Sequence, residues 1–237
     1  MLGPTFSALT GLNNASKLLQ NSANNLANVQ TAGFKKGKIT SVQSESGGTR
    51  VNSVTKVNTQ GGLIPTNNPL DLAIEGNGFF QVTNPNGGVS FTRSGSFSLN
   101  GAGQVVDSSG NSLIPNINVR AGNNGISIGA NGKISTQTAG GLEVAGQVQL
   151  ANFNNPAGLS AVGGNLLNES AASGAPVVGN PNQGPFGSVL SGFLEGSNVD
   201  IAEEMVDQIV AKATFEANVN VIKANDEMIG SLLDIKS

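Results

Sequence analysis

Residues 196–237 read GSNVDIAEEMVDQIVAKATFEANVNVIKANDEMIGSLLDIKS, and this unbroken run decides the fold. It holds no proline, and its only glycine after Gly196 is Gly230. Ser197 and Asn198 suit a helix cap. Asp200, Glu203 and Glu204 put negative charge on the first turn, where free backbone amides favour it. A helix from Asp200 to Leu233 would be roughly 50 Å long at about 1.5 Å per residue.

The apolar residues of this run form two lines. Phe215, Val219, Ile222, Ile229 and Leu233 follow a heptad seam interrupted by Asp226. Val206, Val210, Ala213, Ala217, Val221, Ala224, Met228 and Leu232 form a second line, nearly opposite at about 100° per residue. A surface helix needs one apolar face, and a helix apolar on two sides must be covered on both. The chain supplies one other long helix. The second line is therefore expected to be an inter-subunit interface.

That other helix is predicted over residues 5–29. Leu2, Leu9, Ser16 and Ala23 occupy one heptad position, and Thr5, Leu12, Leu19 and Leu26 the other. Pro4 suits a first-turn position. The expected intramolecular seam pairs Leu9, Leu12, Leu19 and Leu26 with Phe215, Val219, Ile222 and Ile229. Helical periodicity stops at Thr31-Ala32-Gly33, where Gly33 can end a helix. Lys35, Lys36 and Lys38 then read as a solvated basic cluster.

Composition narrows the function. Thirty-three glycines and 4% aromatics suit a turn-rich β body. A formal net charge of −3 gives no pull toward nucleic acid or anionic membrane. No run is long enough to span a bilayer, so no direct membrane insertion is expected. The first residues lack the basic and apolar blocks of a cleavable secretory signal. Histidine and cysteine are absent. That removes the commonest catalytic bases, nucleophile partners and transition-metal ligands, so no enzyme, no cofactor and no metal site are expected.

Residues 39–62 are rich in Ser, Thr, Gln and Gly, and read as an extended arm with short edge strands. From Asn68 onward, alternating apolar residues are broken by turn signals at Gly76-Asn77-Gly78, Asn86-Gly87, Asn100-Gly101, Ser109-Gly110 and Asn131-Gly132. Turns this frequent predict antiparallel pairing rather than β-α-β units. Residues 154–187 read as an irregular crossing, followed by a short strand at 188–194. The predicted fold class is α+β: long N- and C-terminal helices pairing as a coiled-coil-like layer, with a central antiparallel β sandwich or barrel-like domain. The expected divisions are 1–33, an arm at 34–67, the β domain at 68–195, and 196–237.

Candidate chemistry has simpler explanations. The GNG at 76–78 lacks the third glycine of a dinucleotide site and is turn chemistry. The Asp107 loop lacks the alternating ligands of a calcium site and reads as an Asx turn. Glu203 and Glu204 diverge on a helix, and Ser94 and Ser96 have no histidine to activate them.

Four blocks resemble a known family. ANNLANVQTAGFK at residues 23–35 resembles the N-terminal signature of bacterial flagellar rod and hook proteins, with Asn24, Asn25, Leu26, Ala27, Asn28, Gly33 and Phe34 in its positions. NPLDLAIEGNGFF at 68–80, FTRSGSF at 91–97 and LEGSNVD at 194–200 resemble its later blocks, in family order. Within the family the chain resembles the distal-rod branch most. The resemblance implies a structural subunit of the flagellar basal body, exported by the flagellar type III system without a cleavable signal. It implies stacking of many copies of itself into a hollow helical tube, with other rod or hook proteins at its ends and ring proteins around it. The terminal helices would line the tube and would be largely disordered in a free monomer. A proximal rod subunit or a short hook-like subunit is the alternative within the family, and an extracellular adhesive β module is the alternative outside it.

Overall fold

The computed structural model describes residues 3–45, 47–84, 87–119, 125–138 and 141–234, with side chains up to residue 231. Among them the chain is α+β, with two long helices and antiparallel strands. Helix α1 is Gly3–Ala27 and helix α2 is Ile201–Asp234. The fold divides into two compact units. A helical unit comprises Met1–Val29, Lys36–Val57 and Val199–Ser237, and a β unit comprises Gln30–Lys35 and Asn58–Asn198. No described helix is long and apolar enough to cross a membrane.

In the helical unit α1 and α2 lie side by side and antiparallel. Asn225 Nδ2 donates to Thr5 Oγ1 at 3.1 Å near one end, and Ser22 Oγ donates to the Glu204 carbonyl at 2.9 Å near the other. Between them a Cβ added to Gly11 would sit 2.7 Å from Asn218 Oδ1, so the Asn218 side chain packs directly over the glycine.

The contact face of α1 is Ala8, Gly11, Ala15, Ser22 and Asn25, all buried. It differs from the expected leucine seam: Leu9 and Leu19 are exposed, while Leu12 and Leu26 are half-buried. The physical reason is size, because small residues let two backbones approach where leucines would hold them apart. On α2 the facing residues are Glu204, Gln208, Ala211, Phe215, Asn218, Ile222, Asn225 and Ile229, of which Glu204 and Ala211 are buried. Their steps of four and three keep a heptad period while placing polar groups inside it. Val219 and Ile222 are half-buried, whereas Phe215 and Ile229 are 42% and 38% exposed.

The cap of α2 lies two residues beyond Asn198, the later of the two residues its sequence suggests. Asp200 Oδ1 accepts from the amides of Ala202 at 2.8 Å and Glu203 at 3.2 Å. Asn198 instead donates to the Thr59 carbonyl and hydroxyl.

Residues expected as an extended arm form a hairpin that belongs to the helical unit. Strand β1 (Gly37–Gln43) pairs antiparallel with β2 (Thr49–Lys56), with a register shift between Thr40 and Ser41. It docks on α1 through polar contacts: Ser41 to Asn14 at 2.8 Å, the Thr49 amide to Thr10 at 3.2 Å, and Asn21 to the Gly37 carbonyl at 2.7 Å. Of these contacts Ser41 alone uses a hairpin side chain, and the others join polar side chains of α1 to the hairpin backbone.

The β unit is built on one large sheet. Its centre is Phe79–Thr83, flanked by Val89–Thr92, Ser112–Leu113 and Leu150–Asn152. Leu72, Ile74, Phe80, Leu113, Leu150 and Val189 fill its core. The turn at Asn131-Gly132 joins Ile126–Ile128 to Lys133–Thr138 as expected. Asn86 and residues 120–124 lie outside the described residues. The stretch 154–187 is more ordered than its composition suggests. Ser160–Gly163 and Leu166–Asn168 form a hairpin on the sheet, and Val177–Gly179 pairs with Leu150–Asn152. These strands are too short for a period of two to show in sequence. The chain then returns to the middle of the unit, where Ser188–Ser191 pairs with Leu72–Glu75 and Phe193–Glu195 pairs with Leu63–Pro65.

Candidate assembly interface

Two features of the fold stand out: a buried ionic junction in the β unit and an uncovered apolar face on α2. At the junction, Glu195 is fully buried at the end of its strand. Its Oε1 accepts from Lys35 Nζ at 2.5 Å and from the Gly61 amide at 3.0 Å, and its Oε2 lies 3.3 Å from Arg93 Nη1. Its own carbonyl accepts from the Gly33 amide at 2.7 Å. Lys35 also donates to the Thr59 carbonyl at 2.7 Å. Arg93 reaches the carbonyls of Ile74 at 3.5 Å and Gly76 at 2.8 Å, and its guanidinium lies 5.2 Å from the centre of the Phe79 ring.

Lys35 is thus a buried ion-pair partner, and Lys36 pairs with Glu203 at 2.8 Å, so of the three lysines expected to be solvated Lys38 alone is exposed. Gly33, with a φ of +69°, and Lys35 both lie in the β unit, where the buried Glu195 supplies the counter-ion for Lys35. A Cβ at Gly33 would fall 2.4 Å from the Ser94 amide nitrogen. Gly33→Ala is expected to lower β-unit stability by at least about 1–2 kcal/mol from the left-handed backbone alone, with the clash adding to it. Urea unfolding checks this, and an unchanged midpoint would contradict it.

Burial pushes the Lys35 ammonium below the ordinary lysine value of 10.5, against the opposing pull of Glu195. In the window just below 10.5 the unfolded chain holds this proton more firmly than the folded one, so the Lys35 contribution makes stability rise with pH there. Lys35→Met should remove that slope in urea titrations run at a series of alkaline pH values.

The helical unit has its own polar clasp. Asn25 Oδ1 accepts from the Gly37 amide at 2.8 Å, while its Nδ2 donates to the Gly37 carbonyl and to Glu204 Oε1, both at 2.9 Å. Asn28 donates back to the Asn24 carbonyl at 2.8 Å, and Asn24 and Ala27 are exposed. Phe34 is buried in the β unit.

The second apolar line of α2 is uncovered. Val206, Val210, Val221 and Met228 are 47–59% exposed, and Ala213, Ala217 and Ala224 are exposed too. The side chain of Leu232 lies outside the described residues, as do Leu2 and the side chain of Leu233. Ile201, Met205 and Ile209 are also exposed and belong to neither expected line. Their spacing of four residues was a signal for a third apolar row.

The four motif blocks and the two terminal helices can now be set beside known proteins. The description "Flagellar hook protein FlgE/F/G D1 domain" matches residues 73–136, and "Flagellar basal body rod FlgEFG protein C-terminal" matches residues 190–235. The flagellar basal-body rod protein FlgG of Agrobacterium fabrum is 35% identical over 93% of this chain and 94% of its own length. The FlgG of Borreliella burgdorferi is 34% identical over 100% of this chain and 99% of its own. The chain belongs to the flagellar basal-body rod protein family. The flagellar hook protein FlgE of Salmonella typhimurium is 38% identical over 94 residues, which is 40% of this chain but only 23% of the hook protein. Near-complete coverage by rod proteins favours rod over hook.

Gly33 and Lys35 lie in the stretch 23–35, Ile74, Gly76 and Phe79 in 68–80, Arg93 in 91–97 and Glu195 in 194–200. Four stretches of the sequence meet around one carboxylate and one guanidinium. No motif in the sequence linked these charges, because complementary ions separated by some hundred residues leave no periodic signal.

Proposed function

We propose that this chain is a structural subunit of the bacterial flagellar basal-body rod, polymerising helically into a hollow tube that transmits torque and conducts exported subunits. The carrying observation is the uncovered apolar line of α2 in a chain that matches rod proteins end to end. Burying a large aliphatic side chain contributes roughly 1.5–3 kcal/mol, so covering Val206, Val210, Val221 and Met228 is a substantial drive toward association. In this reading α1 and α2 form a coiled-coil-like layer, their contact face is the intramolecular seam, and the second line of α2 faces other copies. The β unit is a sandwich-like body. Other rod or hook proteins cap the ends, ring proteins surround the tube, and export proceeds through the flagellar type III system. The chain has no catalytic role in this account.

Labelling this subunit in purified basal bodies tests the reading. The expected image has label along the rod; label confined to the hook, or none in the basal body, would overturn it.

A further inference from the structure

α1 also carries an unfilled seam. Leu9, Leu12, Ser16, Leu19, Ala23 and Leu26 repeat in steps of three and four, a heptad line separate from the face that meets α2. Leu9 is 59% and Leu19 43% exposed. At about 100° per residue this outer line lies about 100° around α1 from its contact face, and the second line of α2 lies about 130° around from its own. Taken along each helix from N- to C-terminus the two rotations have opposite sense, and in an antiparallel pair that carries the two outer lines to opposite sides. The grooves agree. An open groove of about 490 Å³ on one side is lined by Leu9, Leu12, Ser16 and Phe215. Another of about 300 Å³ is lined by Val210 and Asp207 together with Lys38, Ile39 and Val57.

We infer that the second line of α2 in one copy docks into the valley formed in the next copy by the α1 leucines and by Met205, Ile209 and Phe215 of α2. The inference rests on the rod reading and specifies its contact. Three observations select a second copy as the occupant. The valley is continuous with the existing α1–α2 interface. Valley and ridge share a heptad period and are built of apolar and small residues, with large leucines on one facing small alanines and valines on the other. They also lie on opposite sides of the molecule, so one partner cannot close both, and the contact repeats head to tail as an open array.

Mixing variants tests this. Leu9→Lys spoils the valley and keeps the ridge, while Val221→Lys spoils the ridge and keeps the valley. Each alone should remain monomeric in analytical ultracentrifugation under conditions where the unaltered chain polymerises. Mixed in equal amounts they should form a one-to-one dimer and nothing longer, which also shows that both variants are folded. Leu19→Lys with Val210→Lys gives an independent second pair. Polymers from the single variants, or mixtures of both pairs that stay monomeric, would overturn the docking while leaving the rod reading intact. An unaltered chain that never polymerises would overturn the rod reading itself.

Discussion

Glu195→Gln is expected to lower the stability of the β unit by about 3–5 kcal/mol, the loss that follows when one partner of a buried ion pair is removed. The carboxylate stands between two buried cations, Lys35 and Arg93, whose side chains are 5% and 6% exposed. Glutamine keeps the shape and can still accept from the Gly61 amide, but it leaves two like charges unbalanced. Lys35 can relieve the strain by losing its proton, while Arg93 stays charged at any accessible pH. The variant should therefore regain stability as pH is raised. Adding Lys35→Met should recover part of the loss, because the remaining cation keeps its carbonyl partners. Urea unfolding followed by β-sheet circular dichroism measures each step. A loss below about 1 kcal/mol, the scale of an exposed pair, would mean that the junction is not what fastens the four blocks together.

Val221→Asp should abolish polymer formation while leaving the monomer folded. Val221 is 47% exposed on α2, and surface changes away from special features usually stay within about 0.5 kcal/mol. In a polymer the new carboxylate would be buried against apolar side chains without a partner, at a cost of several kcal/mol. Electron microscopy of concentrated protein and swimming in soft agar read the outcome. Normal motility with normal rods would count against an interface on this line.

The long elements were legible in sequence because their signals are local. The proline-free run after Gly196 gives α2, and the spaced Asn-Gly and Ser-Gly turns give an antiparallel body. The face of α1 was not legible, since leucines look like a core until a partner is in place. Gly11 and Ala15 pack closer, and that preference depends on Asn218 and Ala211 on a helix some two hundred residues away. Docking of the hairpin was hidden for a similar reason. It is held by Asn14, Asn21 and Thr10, polar residues that a reading based on apolar spacing assigns to solvent. Lys35 was misread because a lysine after a helix end is ordinarily solvated. Its burial depends on Glu195, which enters the same place from the far end of the β unit.

The central claim is that the second line of α2 is open in one copy and covered by others. The chain contains no cysteine, so Ala217→Cys places a single thiol on that line. Maleimide labelling of this variant should be rapid in the monomer and strongly slowed in assembled polymer. Equal labelling rates in monomer and polymer would contradict the account.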